Sequence, residues 1–278
     1  RVIHYGNYDD FYNSNVRSVR YIIDFCNSFN IKLYHISTTG IAGDKSDNTY
    51  LAYGKKTKNE IIFDESSLYV GQILDNVYTR SKFEAESYVL NAISRGLDGY
   101  ILRMGNLMPR YSDGIFQENI LDNAFINKLA AFIKIGVVPD YMLKQLLEFT
   151  PIDYAAKAVY ALMTHPTYRN RIFHLNNTKN ISVDKYMKVL KKLKYGVKIV
   201  SEKEFKDKVN SILNDENEKD SLNNLLNDFD KDLHLDYKND IIIKSNFTVK
   251  YLKKIHFKWP RISNKYLVKF ANLLRKVI

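Results

Sequence analysis

Three short apolar runs, each ending in a polar turn and separated by helical patterns, constrain this chain more than any other feature. They are Val2-Ile3-His4-Tyr5-Gly6, Lys32-Leu33-Tyr34-His35-Ile36-Ser37 and Gly99-Tyr100-Ile101-Leu102-Arg103. Runs of this length bounded by turns read as buried strands. Between the first two, Ser14 to Phe29 predicts a helix with Val16, Val19, Ile22, Ile23 and Cys26 on its buried face. Between the last two, Ile41 to Asn76 reads as loop, and Val77 to Arg95 predicts a helix closed by Gly96. Buried strands alternating with helices predict a parallel, doubly wound sheet covered on both faces. Ligands of such sheets sit at the carboxyl ends of the strands. The turns Gly6-Asn7, Thr38-Thr39 and Gly105-Asn106 fall there.

Beyond Met108 the pattern becomes mainly helical. Helices are expected over Gln117 to Ile135, Asp153 to Thr164 with Asp153 as N-cap, and Val183 to Lys194. Short strands are expected at Arg171 to Leu175 and Val197 to Val200. Glu202 to Asp236 reads as polar and helical, with Leu222, Leu225 and Leu226 at helical spacing. Late helices are expected at Asn246 to Lys254 and Asn264 to Val277. The fold class that follows is α/β: a partial Rossmann-type doubly wound parallel sheet with a smaller, mainly helical C-terminal region. The expected division is residues 1–110 and 111–278, with about 149–176 returning to the sheet domain.

Composition narrows the function. The single cysteine, Cys26, allows no intrachain disulfide and reads as a small core residue. One cysteine and six histidines argue against a thiolate zinc cluster, so no metal site is expected. No apolar run approaches the ~18 residues of a membrane span, and a cytoplasmic protein is expected. The net charge of +11 is spread through mixed acids and bases, as in Glu202-Lys203-Glu204-Phe205-Lys206-Asp207-Lys208, and reads as solvated surface. The denser stretch Lys250 to Lys258 reads as the basic face of a helix, with Trp259 beside it as a packing anchor. No nucleic-acid-binding signature accompanies it, and no nucleic-acid partner is expected.

The pentad Tyr78-Thr79-Arg80-Ser81-Lys82 carries the chemistry. Positions i and i+4 share a helix face, so the Tyr78 hydroxyl and the Lys82 ammonium can face one cleft. A nearby cation favours phenolate and is expected to lower the tyrosine pKa from its reference near 10. Tyr78 then becomes a usable general acid. Upstream, the strand ending in Ser37-Thr38-Thr39-Gly40 offers a hydroxyl to the same substrate oxygen.

This arrangement of strand, hydroxyl turn, Tyr-x-x-x-Lys helix and strand resembles the extended short-chain dehydrogenases/reductases. Within them it is most similar to the thioester reductase domains that terminate some nonribosomal peptide synthetases. The resemblance runs through Val2-Ile3-His4-Tyr5-Gly6, Asn15-Val16, His35-Ile36-Ser37-Thr38, Tyr78 to Glu86, Leu102-Arg103-Met104-Gly105-Asn106-Leu107, Ser112-Asp113-Gly114, Thr150-Pro151-Ile152-Asp153 and Tyr251 to Tyr266. It implies a catalytic trio of Thr38, Tyr78 and Lys82, with Thr39 as the alternative hydroxyl. It implies NADPH as cofactor, NADH being the alternative, near His4, Gly6, Lys82, Gly105 and Asn106. The implied substrate is an acyl or peptidyl thioester on the phosphopantetheine arm of a carrier protein, released as aldehyde or alcohol. The helical C-terminal region is then the substrate and carrier region of a monomeric domain within a larger chain.

Some residues keep two readings. His4 suits a core histidine or a cofactor neighbour, and Arg103 a structural carboxylate partner or a phosphate contact. Asn15 reads as a tie from a helix start to a strand. No glycine-rich pyrophosphate turn is present; Gly40-Ile41-Ala42-Gly43 follows the wrong strand. The resemblance implies that this turn lies upstream of Arg1, and weak or no NADPH binding is expected of the chain as written. Pro109 stands where the family often has glycine. The competing readings are a sugar-nucleotide epimerase or dehydratase on the same scaffold, and a non-catalytic module that docks a carrier protein.

Overall fold

The computed structural model describes residues 6–43, 46, 61–165, 171–215, 222, 225, 229, 232–235 and 241–278. His4 lies outside the described residues. The chain divides into two compact units. One comprises Arg1–Leu107, Tyr154–Thr178 and Lys238–Trp259; the other comprises Met108–Asp153, Lys179–Tyr237 and Pro260–Ile278.

The first unit opens with α1 (Tyr8–Phe11), a π-helical turn (Tyr12–Arg17) and α2 (Ser18–Phe29). Strand β1 (Leu33–Thr38), strand β2 (Ile61–Phe63), helix α3 (Val77–Ser94) and strand β3 (Gly99–Met104) follow. β1 pairs in parallel with β3, and β3 with the strand Ile172–Leu175, giving a parallel three-stranded sheet. All of β3 is buried, as a strand covered on both faces must be. Ile101 and Ile172 pack with Ile23, Cys26 and Val89 of α2 and α3. The alternate residues Tyr100, Leu102, Met104 and Phe173 pack with Ala155, Ala158, Leu162 and Leu252 from the helices Ile152–Thr164 and Asn246–Lys254. The expected doubly wound arrangement is therefore present.

Four local expectations change. The helical stretch begins at Tyr8, capped by Asn7, whose side chain accepts from the Asp9 amide at 2.9 Å. Ile22 is 49% exposed while Ile23 is 8% exposed, because one residue turns a helix by about 100°. Asn15 ties its helical turn to α3 rather than to a strand. The expected loop after β1 contains a 3-10 turn, Thr39–Ala42, and strand β2. β2 pairs in parallel with Ile241–Ile243, a partner too distant in the chain for local pattern to reveal.

The core of the second unit gathers helices Ala124–Ile135, Val183–Lys192, Glu202–Leu213 and Asn264–Leu274. Phe149 lies edge-on to Phe270 at 5.5 Å and to Tyr266 at 6.4 Å. The first helix starts later than expected because the Asn123 side chain accepts from the Ile126 amide at 3.0 Å, with a 3-10 turn before it. The helix at Glu202 has a capping box between Ser201 and Glu204 and stops at Leu213, well before Asp236. Leu222 and Leu225 are buried; Leu226 lies outside the described residues. Asp153 is not an N-cap: its carboxylate accepts from the amides of Tyr111 at 2.8 Å and Ser112 at 3.2 Å. No helix among the described residues is long and apolar enough to cross a membrane.

Candidate active site

The register of the sheet brings two of the three expected polar turns to one edge. Thr38, the last residue of β1, pairs with Met104, the last of β3, and Met104 pairs with Leu175. Thr38-Thr39 and Gly105-Asn106 therefore leave the sheet side by side at its carboxyl edge, and the Gly105 amide donates to the Leu175 carbonyl at 3.1 Å. Gly6, at φ 136°, stands just before the Asn7 cap of α1 and is exposed.

The two threonines have different partners. Thr39 is 9% exposed and its hydroxyl donates to the Met104 carbonyl at 3.2 Å. The Thr38 hydroxyl accepts from the Gly40 amide at 3.0 Å and hydrogen-bonds the Tyr78 side chain. Gly40 lets this turn pack closely: a Cβ there would stand 3.3 Å from the Thr38 hydroxyl, which would have to give by a few tenths of an ångström, and 3.5 Å from the Thr79 methyl. Gly43 is more tightly constrained: at φ 65° its Cβ would lie 2.6 Å from the Ile73 carbonyl oxygen.

Helix α3 presents Tyr78 and Lys82 one turn apart. Asn76 caps it, accepting from the Thr79 amide at 2.8 Å, so Tyr78 lies in the first turn. Ser81 is wholly buried; it donates to the Tyr78 carbonyl at 2.8 Å and accepts from the Asn15 side chain at 3.0 Å. The Lys82 ammonium donates to the Ile36 carbonyl of β1 at 2.5 Å. Burial lowers the Lys82 pKa to about 8, against the pull of the Glu86 carboxylate. Burial also raises the Tyr78 pKa, and the Thr38 hydrogen bond only partly opposes it. The sequence expectation that the lysine would depress the tyrosine is thus reversed: desolvation dominates, and the Lys82 ammonium is directed at a backbone carbonyl.

Behind this pair lies a buried polar network. Glu86 and Arg103 are both fully buried and form an ion pair at 2.5 Å, with a second Arg103 contact to the same oxygen at 2.9 Å. The other Glu86 oxygen accepts from the Ser37 hydroxyl at 2.6 Å. Arg103 also donates to the carbonyls of Ser67 at 2.6 Å and Asp64 at 3.2 Å, and contacts His174 Nε2 at 2.9 Å. Of its two readings, the structural carboxylate partner is the one present. His35, also on β1, is 7% exposed with no partner for Nε2 among the described residues. Burial, and to a lesser extent Lys82, lowers its pKa to about 3, so it is neutral. Sequence reasoning missed Ser37 as a partner of α3; the available signal was an acid, Glu86, on the buried face of a catalytic-looking helix.

The described residues hold no group of three or more acids, histidines and cysteines fit for a metal ion. A nicotinamide ribose fits the open side of this edge: Lys82 has donors beyond the one on Ile36, and the Thr38 and Tyr78 hydroxyls adjoin. A pyrophosphate cradle is a different matter. The Gly40–Gly43 turn packs its glycines against Thr38, Thr79, Ile73 and Gln72, so these glycines serve close packing of the turn.

Residues 1–159 match an NAD-binding family described as Male sterility protein. The thiolation-reductase di-domain of an archaeal non-ribosomal peptide synthetase superposes on 100% of this chain and 56% of that one, with a TM-score of 0.86 and 33% identity. The aureusimine biosynthetic cluster reductase domain superposes on 96% of this chain and 66% of that one, with a TM-score of 0.75 and 25% identity. The L-2-aminoadipate reductase large subunit of Candida glabrata is 25% identical over 206 residues, which are 72% of this chain and 14% of that protein. The chain thus spans a small part of its curated relative and just over half of the archaeal di-domain.

Proposed function

The chain belongs to the Male sterility protein family of NAD-binding domains, and from that premise we propose that it reduces an acyl or peptidyl thioester with NADPH. The thioester is carried on the phosphopantetheine arm of a carrier protein, and the chain acts as a domain of a larger reductase. The carrying observation is the contact of Thr38 with Tyr78, with Lys82 one turn along the same helix, at the carboxyl edge of a parallel sheet. The likeness to a thiolation-reductase di-domain at 33% identity supports the carrier as partner.

When bound, the nicotinamide supplies a hydride to the carbonyl carbon. Lys82, with Gly105 and Asn106 nearby in the sheet edge, holds the nicotinamide ribose. Tyr78, kept protonated by its raised pKa, donates its proton to the carbonyl oxygen as the thiohemiacetal forms. Thr38 hydrogen-bonds that oxygen while charge builds on it. Collapse of the thiohemiacetal breaks the C–S bond, and its hydroxyl proton leaves with the thiol, so an aldehyde is released. A second hydride and proton give the alcohol.

The test follows NADPH absorbance with the full-length protein, a carrier-bound acyl thioester, and Tyr78→Phe beside wild type. Oxidation lost in the variant is the expected result. Carrier binding with no oxidation by wild type would overturn the reductase reading and leave the docking module. The epimerase reading has no observation of its own, since the trio serves both chemistries.

A further inference from the structure

Tyr78, Lys82 and Glu86 recur at intervals of one helical turn on α3, and only the first two have a chemical role so far. Glu86 is fully buried, on the face that meets the sheet. One carboxylate oxygen grips Arg103 of β3, the other accepts from Ser37 of β1, and Ser37 immediately precedes Thr38. Both bonds tie the helix to strands whose register fixes the carboxyl edge. A slide of α3 along its axis would break the Ser37 bond and separate Tyr78 from Thr38 together. Ser87, the next residue, donates to the Phe83 carbonyl inside its own helix and makes no such tie.

We propose that Glu86 is a positioning residue that sets the height of α3 over β1, holding the Tyr78 hydroxyl against Thr38, and that, one helical turn from Lys82, it is the counter-charge to that ammonium. The first half rests on the reductase reading; the second stands on this chain alone. The groups around Lys82 are few. Glu86 and Tyr78 share its helix, neutral His35 faces it from β1, and Arg103 on β3 is neutralised by Glu86. Among the described residues Glu86 is the one anion of this group, so removing its charge leaves burial unopposed and lowers the Lys82 pKa further.

The experiment uses the full-length protein with Ser37→Ala and Glu86→Gln. Ser37→Ala cuts the tie to β1 and leaves the ion pair whole, so it is the variant that decides if Glu86→Gln fails to fold. Two readouts are taken: kcat and KM for the thioester, and the pH dependence of Lys82 acetylation by acetic anhydride, followed by mass spectrometry without cofactor. In Ser37→Ala, kcat is expected to fall by on the order of 10- to 100-fold with KM unchanged. In Glu86→Gln, Lys82 acetylation is expected to set in at lower pH than in wild type. A folded Ser37→Ala protein with wild-type kcat would overturn the positioning role. An unmoved acetylation profile in folded Glu86→Gln would overturn the electrostatic one. If wild type itself turns nothing over, the reductase reading fails, and the acetylation profile still decides the role of Glu86 toward Lys82.

Discussion

The Thr39 hydroxyl donates to the Met104 carbonyl at 3.2 Å, binding the start of the 3-10 turn to the end of the neighbouring strand. That bond turns Thr39 inward and leaves Thr38 with Tyr78. Thr38→Val is therefore expected to lower kcat by on the order of 100- to 1000-fold, the loss typical of one donor to a developing oxyanion. Thr39→Val is expected to cost about 1 kcal/mol of stability and to keep turnover. Steady-state kinetics and urea unfolding of both variants separate the two.

Tyr78→Phe keeps the ring in its half-buried place and removes only the proton. The expected loss is on the order of 100- to 10,000-fold in kcat, with an unchanged melting curve. A melting temperature that fell with activity would mean that the hydroxyl is structural.

Lys82 makes stability and activity respond oppositely to pH. Its folded pKa, about 8, is below the ordinary 10.5. Below pH 8 both folded and unfolded chains hold the proton, and the fold carries the full burial penalty. Between about 8 and 10.5 the unfolded chain binds more protons, so this group's contribution to stability rises with pH. Activity, which uses the ammonium, falls across the same window. The difference in unfolding free energy between wild type and Lys82→Met, measured from pH 7 to 10, checks the first trend, and a kcat profile checks the second.

The Arg103–Glu86 pair gives the largest expected stability effect. Arg103→Leu leaves a fully buried carboxylate without its cation and is expected to cost about 3–5 kcal/mol. Removing both charges in Arg103→Leu with Glu86→Leu is expected to recover much of that. A double variant no more stable than the single one would show that the carbonyl contacts of Arg103 dominate.

Asp153 accepts from two successive amides, those of Tyr111 and Ser112. Asp153→Ala is expected to cost about 1–3 kcal/mol by leaving these donors without a partner. Hydrogen exchange at the two amides is expected to speed up in the variant.

What the sequence made legible was what local pattern encodes. Val77 to Arg95 stood out because its pattern is helical and Gly96 closes it, while the Asn76 cap emerged only in the structure. β1 and β3 stood out because each is apolar and bounded by turns. β2 did not, since Ile61-Ile62-Phe63 gains strand character from Ile241–Ile243 across a long stretch of chain. The shared helix face of Tyr78 and Lys82 was readable from their spacing, but its electrostatics were not. The direction of the Tyr78 shift depends on burial, and the Lys82 proton goes to a backbone carbonyl that no side-chain pattern announces. Asp153 misled for a related reason: an acid at a helix start resembles a cap whether it holds its own helix or a loop elsewhere.

The π-helical turn Tyr12–Arg17 has a consequence for insertions and deletions. Such a turn carries one residue more than an α-turn. The same residues wound as an unbroken α-helix from Tyr8 to Phe29 would turn its front end by about 100° relative to the rest. At that front end Tyr8 donates to Glu84, and within the turn Asn15 reaches Ser81, while Ile23 and Cys26 farther on face the sheet. The wider turn acts as a vernier, letting one rod meet α3 and the strands at two phases that the same residues in a regular helix cannot satisfy together. A one-residue deletion that closes the turn to α keeps both faces docked, whereas one made in the α-helical stretch after it turns the front end away from α3.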